Sequence, residues 1–139
     1  MKKMYVLVLA LMVVSFLAGC GSKETSLTGV DRDAVLAFSE SKTDNLVAGL
    51  KSNDYARFSG DVDQDMLKAI TQSQFEALKK DRDAKLGAYV SRQVNSVTQS
   101  GDFYAVIYDA VFEKESSVTM RVVFRVADPH EVSGLWFSK

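Results

Sequence analysis

The 139-residue chain predicts an α+β domain: about three helices followed by a four-stranded antiparallel meander, with the helices on one face of the sheet. Three observations carry this. The apolar period changes from 3.6 to 2 after Gly87. Turn signals at Ser100-Gly101-Asp102 and Asp128-Pro129-His130 cut the second half into β-rich runs. The connections are too short for crossovers, so neighbouring strands run antiparallel. One face of such a sheet is strongly apolar and must be covered, and only the helices are there to cover it.

The helical half opens at Asp31-Arg32-Asp33, acids suited to the positive end of a helix dipole. Val35, Leu36, Phe38, Leu46, Val47 and Leu50 predict one helix over about 31–51, although its polar middle, Ser39 to Asn45, weakens the stripe. Ser52-Asn53-Asp54 predicts a short turn carrying Tyr55 and Phe58, broken by Gly60. A second helix follows over 61–70, with Met66, Leu67 and Ile70 inward. Thr71 is a good N-cap for a third over 72–85, ended by Gly87.

Strands are expected at about 88–98, 103–112, 117–127 and 132–138. Val118, Met120, Val122, Phe124 and Val126 form an apolar face on the third. On the second strand both faces are apolar, and Asp109 decides between them. A lone buried carboxylate costs several kcal/mol, so Asp109 faces outward, beside Arg121 and Arg92 on the neighbouring strands. Tyr104, Val106, Tyr108, Ala110 and Phe112 then point in, which requires an odd loop or a bulge near 113–117. Leu135 and Phe137 follow them inward. Trp136 is expected outside, near the arginines, at cation–π range.

The first thirty residues concern location. Lys2 and Lys3 precede fourteen residues, Met4 to Leu17, with no charge. That run is too short for a bilayer-spanning helix, which needs about 20 residues, and suits an export signal. Leu17-Ala18-Gly19-Cys20 resembles the lipobox of bacterial and some archaeal lipoproteins. The resemblance implies a signal peptide over 1–19, cleavage before Cys20 and acylation of its sulfur. Two acyl chains meet the threshold for stable anchoring. Residues 20–30 then read as the lipidated cysteine and a flexible tether, and 31–139 as one domain on the extracytoplasmic face of a membrane. A core role for Cys20 is excluded by its polar neighbours, and a nucleophilic role would need a base.

Without Lys2 and Lys3 the chain has 15 basic and 18 acidic residues, a net charge near −3. With no basic patch, nucleic acid is not an expected partner. No cysteine follows Cys20, so packing alone must supply the core.

Candidate chemistry is sparse. Asp61, Asp63 and Asp65 fall at positions 1, 3 and 5 of a calcium-loop count, but Met66 and Gln72 stand where that loop needs Gly and Glu, so the stretch reads as an acidic helix start. His130, the one histidine, sits in a turn with only carboxylates near and reads as an exposed turn residue. No catalytic set, metal site or cofactor is expected. If the first two strands pair across Ser100-Gly101, Ser91 and Gln93 share a face with Tyr108 and Ala110. A pocket lined by Ser91, Gln93, Tyr108, Phe112 and Met120 is the one candidate site.

Four further stretches resemble a known family. They are Asp54-Tyr55 with Phe58, Lys85-Leu86-Gly87, Phe112-Glu113-Lys114, and Ser133-Gly134-Leu135 with Phe137. Over about 45–138 these resemble an uncharacterised family of small exported or lipoprotein domains with a cystatin-like/NTF2-like α+β cone. They are packing and turn positions, so the resemblance implies a fold rather than an activity. The expectation is a non-enzymatic binding or interaction domain, tethered to a membrane through Cys20, with a protein or small-molecule partner. The alternative is an NTF2-like small-molecule or weakly catalytic pocket. An isomerase or dehydratase would need an inward Asp or His, which the sequence does not place.

Overall fold

The computed structural model describes residues 22–139. The leader expected over 1–19 and the lipid site expected at Cys20 lie outside the described residues. The elements in chain order are β1 (Thr25–Ser26), α1 (Gly29–Ser52), α2 (Tyr55–Ser59), α3 (Gln64–Ala69), α4 (Gln72–Lys85), β2 (Tyr89–Ser100), β3 (Phe103–Phe112), β4 (Glu115–Arg125) and β5 (Val132–Ser138). The strands form one antiparallel sheet in the order β1-β2-β3-β4-β5. The α+β class therefore holds, with five strands and four helices among the described residues.

Each difference from expectation has a local cause. The turn at Tyr55–Phe58 closes into a short helix because the Asp54 carboxylate caps the Arg57 N–H at 3.0 Å. The helix expected from residue 61 starts at Gln64, because residues 61–63 bond to β5 instead. Val132 N–H donates to Asp61 O at 2.8 Å and Asp63 N–H donates to Val132 O at 2.9 Å. Asp63 then caps α3 through the Met66 N–H.

The largest correction is at the tether. Thr25 and Ser26 pair with Gln99 and Thr98, and Leu27 N–H donates to Val97 O at 2.8 Å. Ser100 Oγ donates to Ser22 O at 2.9 Å, and Thr98 Oγ1 to Glu24 at 2.7 Å. From Ser22 to Leu27 the expected tether is fastened to the sheet, and Gly29 and Val30 already belong to α1.

The core joins Val35, Leu46, Val47 and Leu50 of α1, Phe58, Met66 and Phe75 of the later helices, and the inner face of the sheet. On that face Val106, Tyr108, Ala110, Phe112, Val118, Met120, Val122 and Phe124 are buried, with Leu135 and Phe137 packed against them. Asp109, Thr119, Arg121 and Trp136 face out and are exposed. The parity that Asp109 demanded is supplied by a bulge: Ser116 and Ser117 of β4 stand opposite the single Val111, so that Ala110 pairs Val118 while Phe112 pairs Glu115.

β2 carries two more irregularities, and they overturn its expected facing. Ser96 pairs Ile107 but Val94 pairs Tyr108, leaving Asn95 unmatched, and Val90 is unmatched in the same way. A one-residue slip sends every following side chain to the other face. Arg92 and Val94 therefore turn inward, while Ser91 and Gln93 are exposed on the outer face.

Candidate functional site

The inward turn of Arg92 creates a polar cluster between α1 and the sheet. The Tyr108 hydroxyl donates to Glu40 Oε1 at 2.6 Å. Having one proton, it accepts from Thr43 Oγ1 at 3.1 Å. Arg92 lies 5.1 Å above the Tyr108 ring and bonds Glu40 (3.2 Å), Asp44 (2.8 Å) and the Tyr89 hydroxyl (3.3 Å). The polar middle of α1, which weakens its apolar stripe, is the part that meets this cluster.

Burial and the hydrogen bond to Glu40 push the Tyr108 phenol above its ordinary range, so it stays a neutral donor. Burial opposes the Arg92 charge, but hydrogen bonds to Asp44 and Tyr89 and the nearby Glu40 outweigh it, and the guanidinium stays cationic. Every charge here is matched by another side chain. The cluster fastens α1 to the sheet. Buried Ser39 Oγ and Arg92 Nε have no protein partner in it.

The five residues expected to line a pocket are not brought together. Tyr108 and Met120 are fully buried, Phe112 is buried near the far end of β3, and Ser91 and Gln93 border a depression of about 300 Å³ on the opposite face with Asp109 and Thr119. Asp109 does face outward, but its partner is Asn95 Nδ2 at 3.0 Å rather than Arg92 or Arg121. The cation–π contact on the outer face is Arg125 over Phe103 at 5.6 Å, and Trp136 instead lies over Gly134.

His130 is also more enclosed than a free turn residue. Its ring stacks on Phe38 at 4.0 Å between centroids, and Nδ1 lies 3.1 Å from Arg125 O. It borders a depression of about 360 Å³ with Asp31, Gln99 and Tyr104. Asp63 serves α3 as its cap and bonds Ser133 and Arg125, at 2.6 and 2.8 Å. Burial alone would raise its pKa; the Ser133, Met66 and Arg125 hydrogen bonds outweigh that and hold it below the usual carboxylate range.

At the other end of the sheet, α4 and β5 enclose a groove of about 430 Å³. Leu78, Leu86, Leu135 and Phe137 supply apolar walls, and Lys85 and Lys139 stand at its rim. Thr71 starts α4 with a capping box to Gln74. Lys114 Nζ donates to the last carbonyls, Asp83 O and Ala84 O, at 3.1 and 3.2 Å. Gly87 leaves the helix at φ +77°, where a side chain would also meet Glu113 at 2.9 Å. β5 is an edge strand among the described residues: β4 pairs it on one side, and on the other its backbone is bridged at Val132, to Val62.

A family described as "Protein of unknown function (DUF3887)" matches residues 43–134. The chain belongs to that family. The DUF3887 span takes in Thr43, Asp44, Arg92 and Tyr108 of the cluster and the α4 wall of the groove, while Glu40, Leu135 and Phe137 lie outside it. No curated protein and no solved structure matches the chain.

Proposed function

We propose that this chain is a lipid-anchored, non-enzymatic binding domain with a cystatin-like/NTF2-like cone, held on the extracytoplasmic face of a membrane through Cys20. Its α4–β5 groove takes an extended segment of a protein partner. One observation carries the reading: an apolar groove lies beside an open strand edge, whereas the space under the sheet is filled by the domain's own side chains. Extended peptides add to such edges through main-chain hydrogen bonds and gain specificity from adjoining side-chain pockets. The rival small-molecule pocket has its lining residues split between the core and the outer face. The anchor reading rests on Leu17-Ala18-Gly19-Cys20. No helix among the described residues is long and apolar enough to cross a membrane.

Two experiments test this. A photo-crosslinking residue at Lys85, on the groove rim, is expected to give protein adducts in intact cells, and one at Gln93 is not. Adducts confined to position 93, or none at either, overturn the groove reading. The Cys20→Ser chain is expected to leave the membrane fraction and to lose acyl label. Retention without label overturns the anchor.

A further inference from the structure

We infer that the domain stands directly on the lipid surface, with the β2–β3 hairpin end toward the membrane and the α4–β5 groove away from it. This rests on the Cys20 anchor proposed above and adds an orientation to it. Only Gly21 separates Cys20 from Ser22, and two residues of fully extended chain reach about 7 Å. Ser22 is not free to wander. Its carbonyl accepts from Ser100 Oγ, and its own hydroxyl lies 3.0 Å from where a side chain would begin on Gly101, in the β2–β3 turn. Glu24 is tied to Thr98, β1 pairs two residues of β2, and Leu27 N–H is held by Val97 O. These ties run along one edge of the sheet and lead the chain off at its hairpin end.

A coil of about ten residues would let the domain roam on the order of 17 Å from its anchor. A reach of about 7 Å does not. The surface brought to the headgroups is formed by the 101–102 turn, the 126–131 connection and the start of α1. Val30 and Phe103, two exposed apolar side chains, belong to this end. β3, ten residues long, carries the sheet about 34 Å to the opposite end at ~3.4 Å per residue. There the Glu113-Lys114 turn, the end of α4 and the end of β5 present the groove to whatever approaches from outside.

The test uses the full chain, lipidated and reconstituted in vesicles whose headgroups carry a nitroxide quencher. A fluorophore is placed on Asp102→Cys or on Glu113→Cys; with Cys20 acylated, each introduced thiol is the one available for labelling. Quenching at position 102 is expected to be several-fold stronger than at 113. A Gly/Ser insertion of about twelve residues between Gly21 and Ser22, spanning roughly 20 Å, is expected to keep the protein on the vesicles and abolish the difference. Equal quenching in the uninserted chain, or stronger quenching at 113, overturns the orientation and leaves the anchor standing. Failure of the chain to acquire an acyl group or to stay with vesicles overturns the anchor, and the orientation with it.

Discussion

Two carboxylates at opposite ends of the sheet sit inside clusters of donors: Asp63 at the β2–β3 hairpin end and Asp83 at the groove end. Burial raises the pKa of both, and hydrogen bonds and cations lower it by more. For Asp63 the donors are Ser133, the Met66 N–H and Arg125; for Asp83 they are Lys79 and Arg82. The settings differ in solvent access. The Asp63 side chain is 3% exposed and that of Asp83 is 37% exposed. Asp63 ties three elements together, α3, β4 and β5, whereas Asp83 pairs within α4, with Lys79 and with the buried Arg82. The same chemistry joins separate elements at one end and stays within one helix at the other, where water reaches Asp83 although its partner Arg82 is buried.

The largest effect expected from breaking this contrast is Asp63→Ala. It removes the α3 cap, leaves Ser133 without its acceptor and leaves Arg125 with Asp65 alone, a loss of about 2–3 kcal/mol, read as a lower urea midpoint at neutral pH. Because the folded pKa of Asp63 lies below the unfolded value of about 3.9, its contribution is complete above that pH. It is lost as the pH falls through the folded pKa. Asp63→Asn should therefore flatten the acid limb of the stability profile below about pH 4. An unchanged limb would place the acid sensitivity elsewhere.

Midway along the sheet, Tyr108→Phe should cost about 1–2 kcal/mol. Glu40 is partly exposed and can return to water, but Thr43 is fully buried and loses its acceptor. Amide exchange in the middle of α1 should quicken more than in α4. Uniform quickening would mean that the cluster does not fasten α1. At the groove end, Asp83→Asn keeps an acceptor for Arg82 and ties no second element, so it should lower stability by about 1 kcal/mol, less than Asp63→Ala, and flatten the acid limb less than Asp63→Asn does. A shift matching that of Asp63→Asn would erase the distinction between the two ends.

The parts of this arrangement that were legible in the sequence are those carried by side-chain period. β4 alternates, and on β3, apolar on both faces, the cost of burying Asp109 alone chooses the facing and demands the bulge found at Ser116-Ser117. Arg92 was not legible. Its facing depends on one unmatched residue, Asn95, and nothing in the 88–98 run marks where the register slips. The one available hint was the polar middle of α1, where Glu40, Thr43 and Asp44 recur at helical spacing and call for a polar partner across the core. β1 was illegible for another reason. Two residues held by backbone bonds at a sheet edge leave no periodicity, and Thr25-Ser26 sits within a stretch of small and polar residues that reads as linker. The groove was half legible: Leu135 and Phe137 were assigned inward, but the sequence does not say how far α4 stands from β5.

The smallest stability effect is expected beside the groove, where Trp136 sits 54% exposed on the outer face of the edge strand. Its ring lies over Gly134, so closely that a Cβ there would fall 2.0 Å from Cη2. Gly134→Ala therefore cannot keep the ring where it is. The atom in the way is the far end of a side chain with solvent beside it, so the ring swings off rather than straining the strand. Stability should change by less than about 0.5 kcal/mol. Trp136 is the single tryptophan of the chain, so the emission spectrum reports on this ring alone. A shift to longer wavelength, as the indole leaves the sheet for water, is the expected reading. An unshifted spectrum with a loss of stability above about 1 kcal/mol would mean that the backbone of β5 moved instead. The open edge proposed to take a partner strand would then be more pliable than its pairing with β4 implies.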